Sequence, residues 1–584
     1  MIGLNKIGLN QVQLNRLRLN APFPAYGKMA GGGGSGDGFP QLPGDVTRWH
    51  FGGLTNEMMA AMDDPRIEDA DHKGRFLSFK NFAWGGMSGV GGYTENYNSN
   101  RWYKVETRID ATWTYKSFNA RSIKDNIAAQ LFYQSKSSDT GFRVLSCTIK
   151  VSGLTDGQGI EYVSNGTQQF VIMRIENDGI YHLPSFDFGA KNAYYGFRFL
   201  KLQESCNITI EQLPLYPGAL VFDGVDDRGT CDNFPVLTKE KGYTVVALRQ
   251  WDQDFLNTTL TGGLLSTRNY STGEGVAFEK IESSNKGYWN LGAGGIIDFA
   301  KSPFTWQTSK QYNNVGILKG DKNHGKPLCV GCGLSGGQQC GRFAIWELVF
   351  LDHDATEEEL TKIKDYFVKT YPWLFPDQAW TVVGKTNEDE DRATIANITG
   401  NGNDLVCLNL GFIEGSGYNE EGEYAGYLVT DGVDDKIVSS VFGMGKDFTI
   451  VGDWKLINTG KNDNAGIVKF DSIVIYNYNP ILINIKNGRN NLIPDQNTVN
   501  AICSDGRIYS KDWKESIYNE ETESTSKNLL TIGYSGNIYT KIAFKNLAIY
   551  PTVLSKEDCI KAYNYLQESS PKTTVSKPTT TSKP

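Results

Sequence analysis

An eight-residue block that occurs twice constrains the fold of this chain more than any other feature. The first copy, 220–227, is Leu-Val-Phe-Asp-Gly-Val-Asp-Asp, and the second, 428–435, is Leu-Val-Thr-Asp-Gly-Val-Asp-Asp. An alternating apolar run follows each copy, over 243–248 and 448–454. A block that returns with the same surroundings indicates two copies of one domain.

The two copies also end in the same way, with a strand and then a short amphipathic helix. These pairs are predicted over 344–351 with 356–371 and over 543–550 with 555–566. Thr356 and Ser555 are the predicted helix N-caps, because each has an acidic residue three positions later, Glu359 and Asp558. Alternate residues of a strand share a face. We therefore expect one face to carry Ala344, Trp346, Leu348 and Phe350, and its counterpart to carry Ala543, Lys545, Leu547 and Ile549.

Composition indicates a β-rich chain and excludes several classes of protein. Of the 584 residues, 64 are Gly and 12% are aromatic, which favours strands and turns. The net charge is −8 with 5 His, so the basic surface of a nucleic-acid binder is not expected. Residues 1–20 lack the apolar core of a signal peptide, and no apolar run reaches the roughly 18 residues of a membrane span. We expect no nucleic-acid partner and no membrane insertion.

The first residues form a series of pentads with its own pattern. Leu4, Leu9, Leu14 and Leu19 recur every fifth position, and Asn follows each of them. A period of five matches neither a helix nor a simple strand. Two interpretations stay open for 1–28: a flexible tail, or an arm that becomes ordered on a partner protein.

The repeated domain resembles a known family. The D-G-V-D-D block, the strands rich in aromatic and β-branched residues, and the first copy's ending I-W-E-L-V-F-L-D-H-D-A-T-E-E-E resemble the laminin-G/concanavalin A-like jelly-roll family. The second copy departs from that ending, with Asn546 in place of Glu347 and Pro551 in place of Asp352. The resemblance implies an all-β chain whose two jelly rolls each pack two antiparallel sheets face to face.

The wider arrangement is similar to virion structural proteins of crAss-like phages of gut Bacteroidales. The residues that carry this resemblance are the pentads, the stretch N-F-A-W-G-G-M-S at 81–88, and G-K-T-N at 384–387 leading to G-N-G-N-D at 400–404. It implies assembly in the bacterial cytoplasm, release by lysis, and other virion proteins as partners of the arm.

Six segments are expected along the chain. They are an N-terminal arm (1–28), a Gly-rich linker with a short helical segment (29–78), a β-sandwich (79–215), two jelly rolls (216–373 and 379–568) and a disordered tail (569–584). The helical segment is placed around Met58, Met59 and Met62.

Catalysis has little support in the sequence. A retaining glycosidase needs two carboxylates about 5 Å apart, and no strand carries the E-x-D-x-x-E trio of jelly-roll glycosidases. The run 357–359 of three Glu falls in the first turn of a predicted helix, where acids favour the helix dipole. The motifs G-x-S-x-G and Walker A are absent. We expect a protein that is not an enzyme and needs no cofactor.

Two groups of residues could bind a metal, and each has a structural alternative. Cys329, Cys332, Cys340 and His324 have ligand types that suit zinc, but the second copy lacks them, and an odd total of nine Cys indicates mostly reduced thiols. The pairs Asp226-Asp227 and Asp434-Asp435 could bind Ca²⁺. The structural alternative is a turn between two strands, with Gly224 and Gly432 supplying the unusual backbone angles. We favour the structural alternative for both groups and assign no metal site.

Residues that contact a ligand stay unassigned. Trp251, Trp289, Trp306 and Trp513 lie in largely polar stretches, where exposed rings could stack on sugars. Burial in a core is the default interpretation for each of them.

Two functional hypotheses remain. The first is a phage virion protein, a head or tail fibre or decoration, whose arm attaches it to the particle and whose jelly rolls bind a glycan or the host surface. As such a protein it is expected to be a homo-oligomer, with a trimer as one option. The alternative is a bacterial surface or secreted carbohydrate-binding protein.

Overall fold

A computed structural model describes most of the chain between residues 38 and 568. The described residues are 38–104, 109–122, 127–134, 143–165, 169–184, 186–187, 194–204, 206–236, 242–252, 255, 260–267, 277–280, 286–288, 296–298, 315–318, 327–334, 338–419, 424–457, 466–469, 473–476, 481–485, 489–493, 499–510, 513–517, 525–535 and 538–568. The predicted arm and the predicted tail lie outside them.

The prediction of an all-β chain is confirmed. The described residues include three α-helices and one 3-10 turn. They are α1 (Asn56–Ala60), α2 (Glu357–Thr370), the 3-10 turn Pro372–Leu374, and α3 (Lys556–Glu568). In the described part of the chain, no helix has both the length and the apolar character of a membrane span.

The first jelly roll consists of two sheets with its core between them. The back sheet has the order β24 (Val315–Leu318), β19 (Tyr243–Trp251), β28 (Arg342–Leu351), β17 (Leu220–Asp223) and β4 (Gly89–Val90), with β1 (Val46–His50) also on β28. The front sheet has the order β2 (Arg66–Glu68), β3 (Phe76–Lys80), β18 (Arg228–Cys231), β25 (Leu328–Val330), β20 (Gly262–Ser266), β21 (Ala277–Lys280), β22 (Lys286–Tyr288) and β23 (Ile296–Asp298), with β26 (Cys332–Leu334) and β27 (Gln338–Cys340) beside β20.

This jelly roll begins well before the predicted boundary at 216. Strands β1, β2 and β3 lie in the segment 29–78 that was predicted as linker, and β4 lies in the predicted sandwich segment. β1 runs antiparallel to β28, with Val46 opposite Leu351 and His50 opposite Glu347. A strand whose partner lies about three hundred positions away leaves no pattern in the neighbouring sequence, so β1 could not be predicted. The short helix near Met58 depends on neighbouring residues and was predicted.

The sandwich is inserted into the first jelly roll between β4 and β17. One sheet has the order β13 (Gly179–Leu183), β10 (Cys147–Ser152), β16 (Asn207–Gln212), β7 (Ser117–Ser122) and β6 (Ile109–Trp113). The other has the order β12 (Gln169–Ile175), β11 (Gly159–Asn165), β15 (Tyr194–Leu202), β8 (Ile127–Gln134) and β5 (Trp102–Lys104), and β9 (Arg143–Val144) pairs with β14 (Phe186–Asp187). The two ends of the insertion meet, because Leu215 donates its N–H to the Gly92 carbonyl at 3.0 Å.

The second jelly roll repeats the arrangement of the first. Its back sheet has the order β32 (Gly417–Asn419), β33 (Tyr427–Val429), β48 (Ile542–Tyr550), β36 (Thr449–Leu456), β41 (Val499–Cys503), β42 (Arg507–Ser510) and β43 (Glu515–Ile517), with β29 (Gln378–Thr381) also on β48. Its front sheet has the order β30 (Thr394–Ile395), β31 (Leu405–Leu408), β34 (Lys436–Ser439), β45 (Thr531–Ile532), β37 (Gly466–Lys469), β38 (Ile473–Tyr476), β39 (Ile481–Ile485) and β40 (Arg489–Ile493). Two small ribbons complete it, β35 (Phe442–Met444) with β44 (Thr525–Asn528) and β46 (Tyr534–Ser535) with β47 (Ile538–Tyr539).

The long strands β28 and β48 do not keep one face along their length, so the expected alternation was wrong. In β28 the register shifts at Trp346, which is left without a partner in β19. Ala344 and Trp346 therefore pack toward α2, whereas Leu348 and Phe350 pack between the sheets. A β-bulge inserts one residue and reverses the facing of all that follow. The same shift occurs at Lys545 in β48, so Leu547 and Ile549 also face the inter-sheet core.

The two helices cover the outer faces of the back sheets. Thr356 accepts a hydrogen bond from the Glu359 N–H, and the Glu359 carboxylate accepts one from the Thr356 N–H, a complete capping box. Ser555 accepts from the Asp558 N–H at 3.1 Å, so both predicted N-caps form hydrogen bonds. The apolar faces of both helices belong to one continuous buried cluster that also includes the linking residue Trp373.

Candidate functional site

The repeated D-G-V-D-D blocks form the same tight turn in both jelly rolls. Asp223 accepts from the Val225 N–H at 2.8 Å, and Asp227 accepts from the Asp223 N–H at 3.0 Å. Gly224 has a φ of 77°. A Cβ on Gly224 would lie 2.8 Å from the Arg342 Cβ, so both the backbone angle and the space require glycine.

A second repeated element, which sequence reasoning missed, packs on each turn. It has the pattern Asn-x-x-aromatic-x-x-x-Ser-Gly and occupies 81–89 and 409–417. Asn81 donates to the Asp226 carbonyl at 3.1 Å, and Asn409 donates to the Asp434 carbonyl at 3.0 Å. The shared spacing of Asn, aromatic ring, Ser and Gly was the available signal.

Each turn brings three carboxylates close enough to consider a cation. The carboxylate oxygens lie within 4.8 Å of one another in two groups: Asp223, Asp226 and Asp227, and Asp431, Asp434 and Asp435. However, the buried members already accept hydrogen bonds that hold the turn: Asp227 accepts from Asp223 and from the Ser88 hydroxyl. Burial, together with the charge of Asp223, raises the pKa of Asp227 to about 8, so a neutral acid is favoured there at neutral pH. The donor set fits a structural turn better than a Ca²⁺ site.

The described cysteines that were considered as zinc ligands do not form a ligand set. Cys332 and Cys340 are joined by a disulfide between β26 and β27. Cys329 is a buried free thiol, and burial raises its pKa to about 11. His324 lies outside the described residues. The remaining free cysteines are buried as well, in line with mostly reduced thiols; they are Cys147, Cys206, Cys231, Cys407, Cys503 and Cys559.

The tryptophans considered for sugar stacking are not exposed where they are described. Trp251 packs in the core of the first jelly roll against Phe255, and Trp513 packs against Tyr563. Trp289 and Trp306 lie outside the described residues. The default interpretation, burial in a core, holds for Trp251 and Trp513.

A charged cluster of the first jelly roll is buried as well. Arg48 and Glu347 have fully buried side chains whose atoms approach to 3.5 Å beneath α2. Tyr366 and Tyr371 of the helix end donate to Glu347 at 3.2 and 2.9 Å. Arg48 also donates to the Tyr366 hydroxyl at 3.1 Å. Because both charges have partners inside the core, the cluster is structural.

The inserted sandwich has an outward surface of a different kind, which we name the aromatic face. It is the solvent side of the sheet β12-β11-β15-β8-β5, because alternate residues such as Leu131, Phe197 and Ile160 fill the core. Its members are Tyr103, Gln130, Phe132, Glu161, Arg174, Tyr194 and Arg198.

One row of this face consists of rings. Phe132 and Tyr194 stack with centroids 4.5 Å apart and planes inclined by 22°. Tyr103 lies opposite Phe132 on the next strand and is 36% exposed. Gly196, opposite Phe132 on the other side, leaves the space that this ring occupies, since a Cβ there would lie 3.1 Å from the Phe132 Cδ1. Phe132 itself is only 2% exposed, so the partly exposed rings of Tyr103 and Tyr194 on either side of it form the accessible part of this row.

The adjacent row is charged and held in place. Arg174 donates to one oxygen of Glu161 through Nη2 at 2.6 Å, and Arg198 donates to the other through Nε at 2.7 Å. The Glu161 side chain is only 3% exposed, whereas that of Arg174 is 58% exposed. Burial raises the pKa of Glu161, but the hydrogen bonds from Arg174 and Arg198 outweigh burial and the pKa lies below its usual range. Each guanidinium thus has a fixed direction and keeps further N–H donors for a ligand.

Flat rings beside oriented N–H donors can bind a ring-shaped polar molecule. Rings provide contact area with little loss of side-chain entropy, and charged donors form the stronger hydrogen bonds. Sequence reasoning predicted strands in this region, but strand periodicity does not tell which of two faces is outward.

Comparisons with known proteins give only distant structural similarity. No protein-family model and no curated protein sequence matches the chain. A sialidase of Trypanosoma rangeli in complex with sialic acid has a TM-score of 0.25 and 8% identity, covering 79% of this chain and 84% of its own. The botulinum neurotoxin serotype D binding domain has a TM-score of 0.23 and 10% identity, covering 56% of this chain and 87% of its own. A truncated AlyQ with CBM32 and alginate lyase domains has a TM-score of 0.18 and 9% identity, covering 57% of this chain and 91% of its own. Scores this low carry no argument about activity.

Proposed function

We propose that this protein binds glycans through the aromatic face of its inserted sandwich. The observation that carries the proposal is the two partly exposed rings of Tyr103 and Tyr194, supported from below by the buried ring of Phe132, beside the Arg174–Glu161–Arg198 row. A pyranose ring has one apolar C–H face that stacks on aromatic carbon, and its hydroxyls accept from guanidinium N–H groups. Binding needs no bond-making group, which agrees with the expectation that the chain is not an enzyme.

The exposed apolar side chains of the jelly rolls have a different character. The most exposed large ones described there are mainly aliphatic: Val225, Val236, Leu260, Ile413, Val433, Val441 and Ile517. Aliphatic side chains offer no flat π-surface for a sugar. The sandwich is therefore a better candidate for the glycan-binding domain than the jelly rolls, which the hypothesis from sequence had named.

A matched pair of variants tests this proposal. Tyr103→Ala removes a ring of the aromatic face, and Phe76→Ala removes a ring that is equally exposed, at 36%, on the front sheet of the first jelly roll. We expect binding to an array of immobilised capsular polysaccharides and N-glycans, followed by titration calorimetry on the glycans retained. One stacked ring contributes about 1 kcal/mol, so Tyr103→Ala should weaken binding about five- to tenfold, with Phe76→Ala unchanged.

Two results would contradict the proposal. One is a protein that retains no glycan from the array. The other is a Tyr103→Ala variant, folded by circular dichroism, that binds as tightly as the wild type.

We further propose that the protein is a component of a phage particle, attached through 1–28, with a homo-oligomer as its assembled state. The pentads and the resemblance of the 81–88 and 384–404 segments support this proposal.

Mass spectrometry of purified particles should detect the chain at fixed stoichiometry, and a chain lacking 1–28 should be missing from them. Incorporation of the truncated chain at wild-type copy number would contradict attachment by the arm. Detection only on bacterial cell surfaces would favour the alternative, a bacterial carbohydrate-binding protein.

A further inference from the structure

Two cysteines of the second jelly roll meet between a strand and the covering helix. Cys503 is the last residue of β41, and Cys559 lies in the first half of α3. Both side chains are fully buried in the same apolar cluster. The Cys503 sulfur lies 4.0 Å from the carbonyl oxygen of Leu554, the residue before the N-cap Ser555, so it lies at the start of α3.

The surroundings make the two thiols unequal. The hydrogen bond from Cys559 lowers the pKa of Cys503 against the effect of burial, and Thr449 and the positive charge of Arg507 act in the same direction. The same hydrogen bond, together with burial, raises the pKa of Cys559. Thiolate character is what makes a cysteine a nucleophile, so Cys503 is the attacking member of the pair.

The first jelly roll shows that the fold itself does not need cysteines here. Thr244 and Thr449 are equivalent, since they lie opposite Leu351 and Tyr550 at the ends of β28 and β48. The residue paired with Thr449 is Cys503, and the residue paired with Thr244 is Ile317. Cys559 follows its N-cap by four positions, as Leu360 follows Thr356. Both members of the pair thus replace aliphatic residues of the first copy.

We propose that Cys503 and Cys559 are a disulfide-forming pair that covalently ties α3 to the back sheet when the protein meets a small-molecule disulfide. The Cys503 thiolate attacks one sulfur of the reagent, which releases one thiolate and leaves a mixed disulfide. The Cys559 thiol then loses its proton and attacks the Cys503 sulfur, releasing the second small thiol. Two protein thiols are oxidised and one reagent disulfide is reduced to two thiols, so the exchange balances.

Burial sets the rate of this reaction. Because both sulfurs are inaccessible in the closed structure, the reagent reaches Cys503 only when α3 opens locally. Once formed, the bond closes the loop from 503 to 559 and disfavours the same opening. The helix that covers the second jelly roll is then fixed in place.

The full-length protein in glutathione buffers of increasing oxidation provides the test. After acid trapping and digestion, mass spectrometry should find a peptide pair joined through Cys503 and Cys559 with the loss of two hydrogens. Oxidation should raise the melting temperature of the second jelly roll by more than about 3 °C. Cys559→Leu, which introduces the residue of the first copy, should abolish this shift, and Cys407→Ser, at another buried free thiol, should retain it.

The joined peptide is measured in the wild type and does not depend on any variant folding. Its absence in buffers that keep the Cys332–Cys340 disulfide oxidised would overturn the proposal. A melting shift that persists in Cys559→Leu would overturn it as well, because the shift would then arise elsewhere.

Discussion

At the scale of single residues, neighbouring atoms explain why one position must be glycine and why one carboxyl group has a raised pKa. Gly196 lies in the middle of β15 with a φ of 149°, and a Cβ there would lie 2.3 Å from the Leu131 carbonyl oxygen. Asp227 is a carboxyl group that burial and Asp223 keep protonated up to about pH 8. At both positions the surrounding atoms decide the effect: they leave no space for a side chain at Gly196, and they raise the pKa of Asp227.

Gly196→Ala should destabilise the sandwich, because the added methyl group has no space next to the backbone of β8. We expect a loss of about 2–4 kcal/mol of unfolding free energy, measured by urea denaturation. Gly159→Ala on the adjacent strand is the control, since its Cβ would meet nothing closer than 3.5 Å. Equal stability of the two variants would contradict the account of Gly196.

The stability of the first jelly roll should fall as the pH rises toward 8. In the unfolded chain Asp227 ionises near its ordinary pKa of about 4, whereas in the folded chain it holds its proton up to a pKa of about 8. The folded state therefore binds more protons between these values, so its stabilisation is complete below about pH 4 and is lost through about pH 8. Asp227→Asn should flatten this slope in denaturation curves recorded from pH 4 to 8, leaving the smaller contribution of Glu95, whose pKa burial raises to about 7. An unchanged slope would assign the dependence to another group.

At the scale of elements, local chemistry explains the helices and their ends. α2 begins at a capping box and carries three acids in its first turn, and α3 begins at Ser555 and Asp558 in the same manner. These signals act within four residues, so they operate before any tertiary contact forms.

Thr356→Ala should cost about 1 kcal/mol of stability, because the first turn of α2 loses its capping acceptor. Thr361→Ala is the matched control on the same helix: its hydroxyl donates to the Glu357 carbonyl and lies at the surface. Chemical denaturation of the two variants should separate them. A loss in Thr361→Ala as large as that in Thr356→Ala would show that the cap has no special role.

At the scale of the whole molecule, the sandwich occupies a position where the second copy has only the short sequence 420–426. β32 and β33 are consecutive strands joined across 420–426, and β4 and β17 are their counterparts joined through the whole sandwich. The ends of the insertion are held together by backbone hydrogen bonds between Gly92 and Leu215 and between Gly91 and Tyr216. An insertion with adjacent ends leaves its host intact.

Replacing 94–213 with the short connecting sequence 420–426 should leave both jelly rolls folded. The expected result is a soluble protein with a cooperative thermal transition and the native near-ultraviolet signal of the buried Trp cores. The same protein should no longer bind glycan, because the aromatic face has been removed. Aggregation of the shortened chain would contradict the view that the sandwich is an independent insertion.

Sequence alone determined the features that local patterns encode. The duplicated block, the all-β class, the closing helices with their caps, and the short helix near Met58 all depend on spacing within a few residues. Tertiary structure decided the rest, because strand pairing joins residues far apart and a period of two marks two faces without telling which is covered. It placed β1 on β28, reversed the facing of β28 at Trp346, and brought Cys503 to Cys559. It also turned Tyr103 and Arg174 outward, since only packing of the opposite sheet shows which side of β5 and β12 solvent reaches.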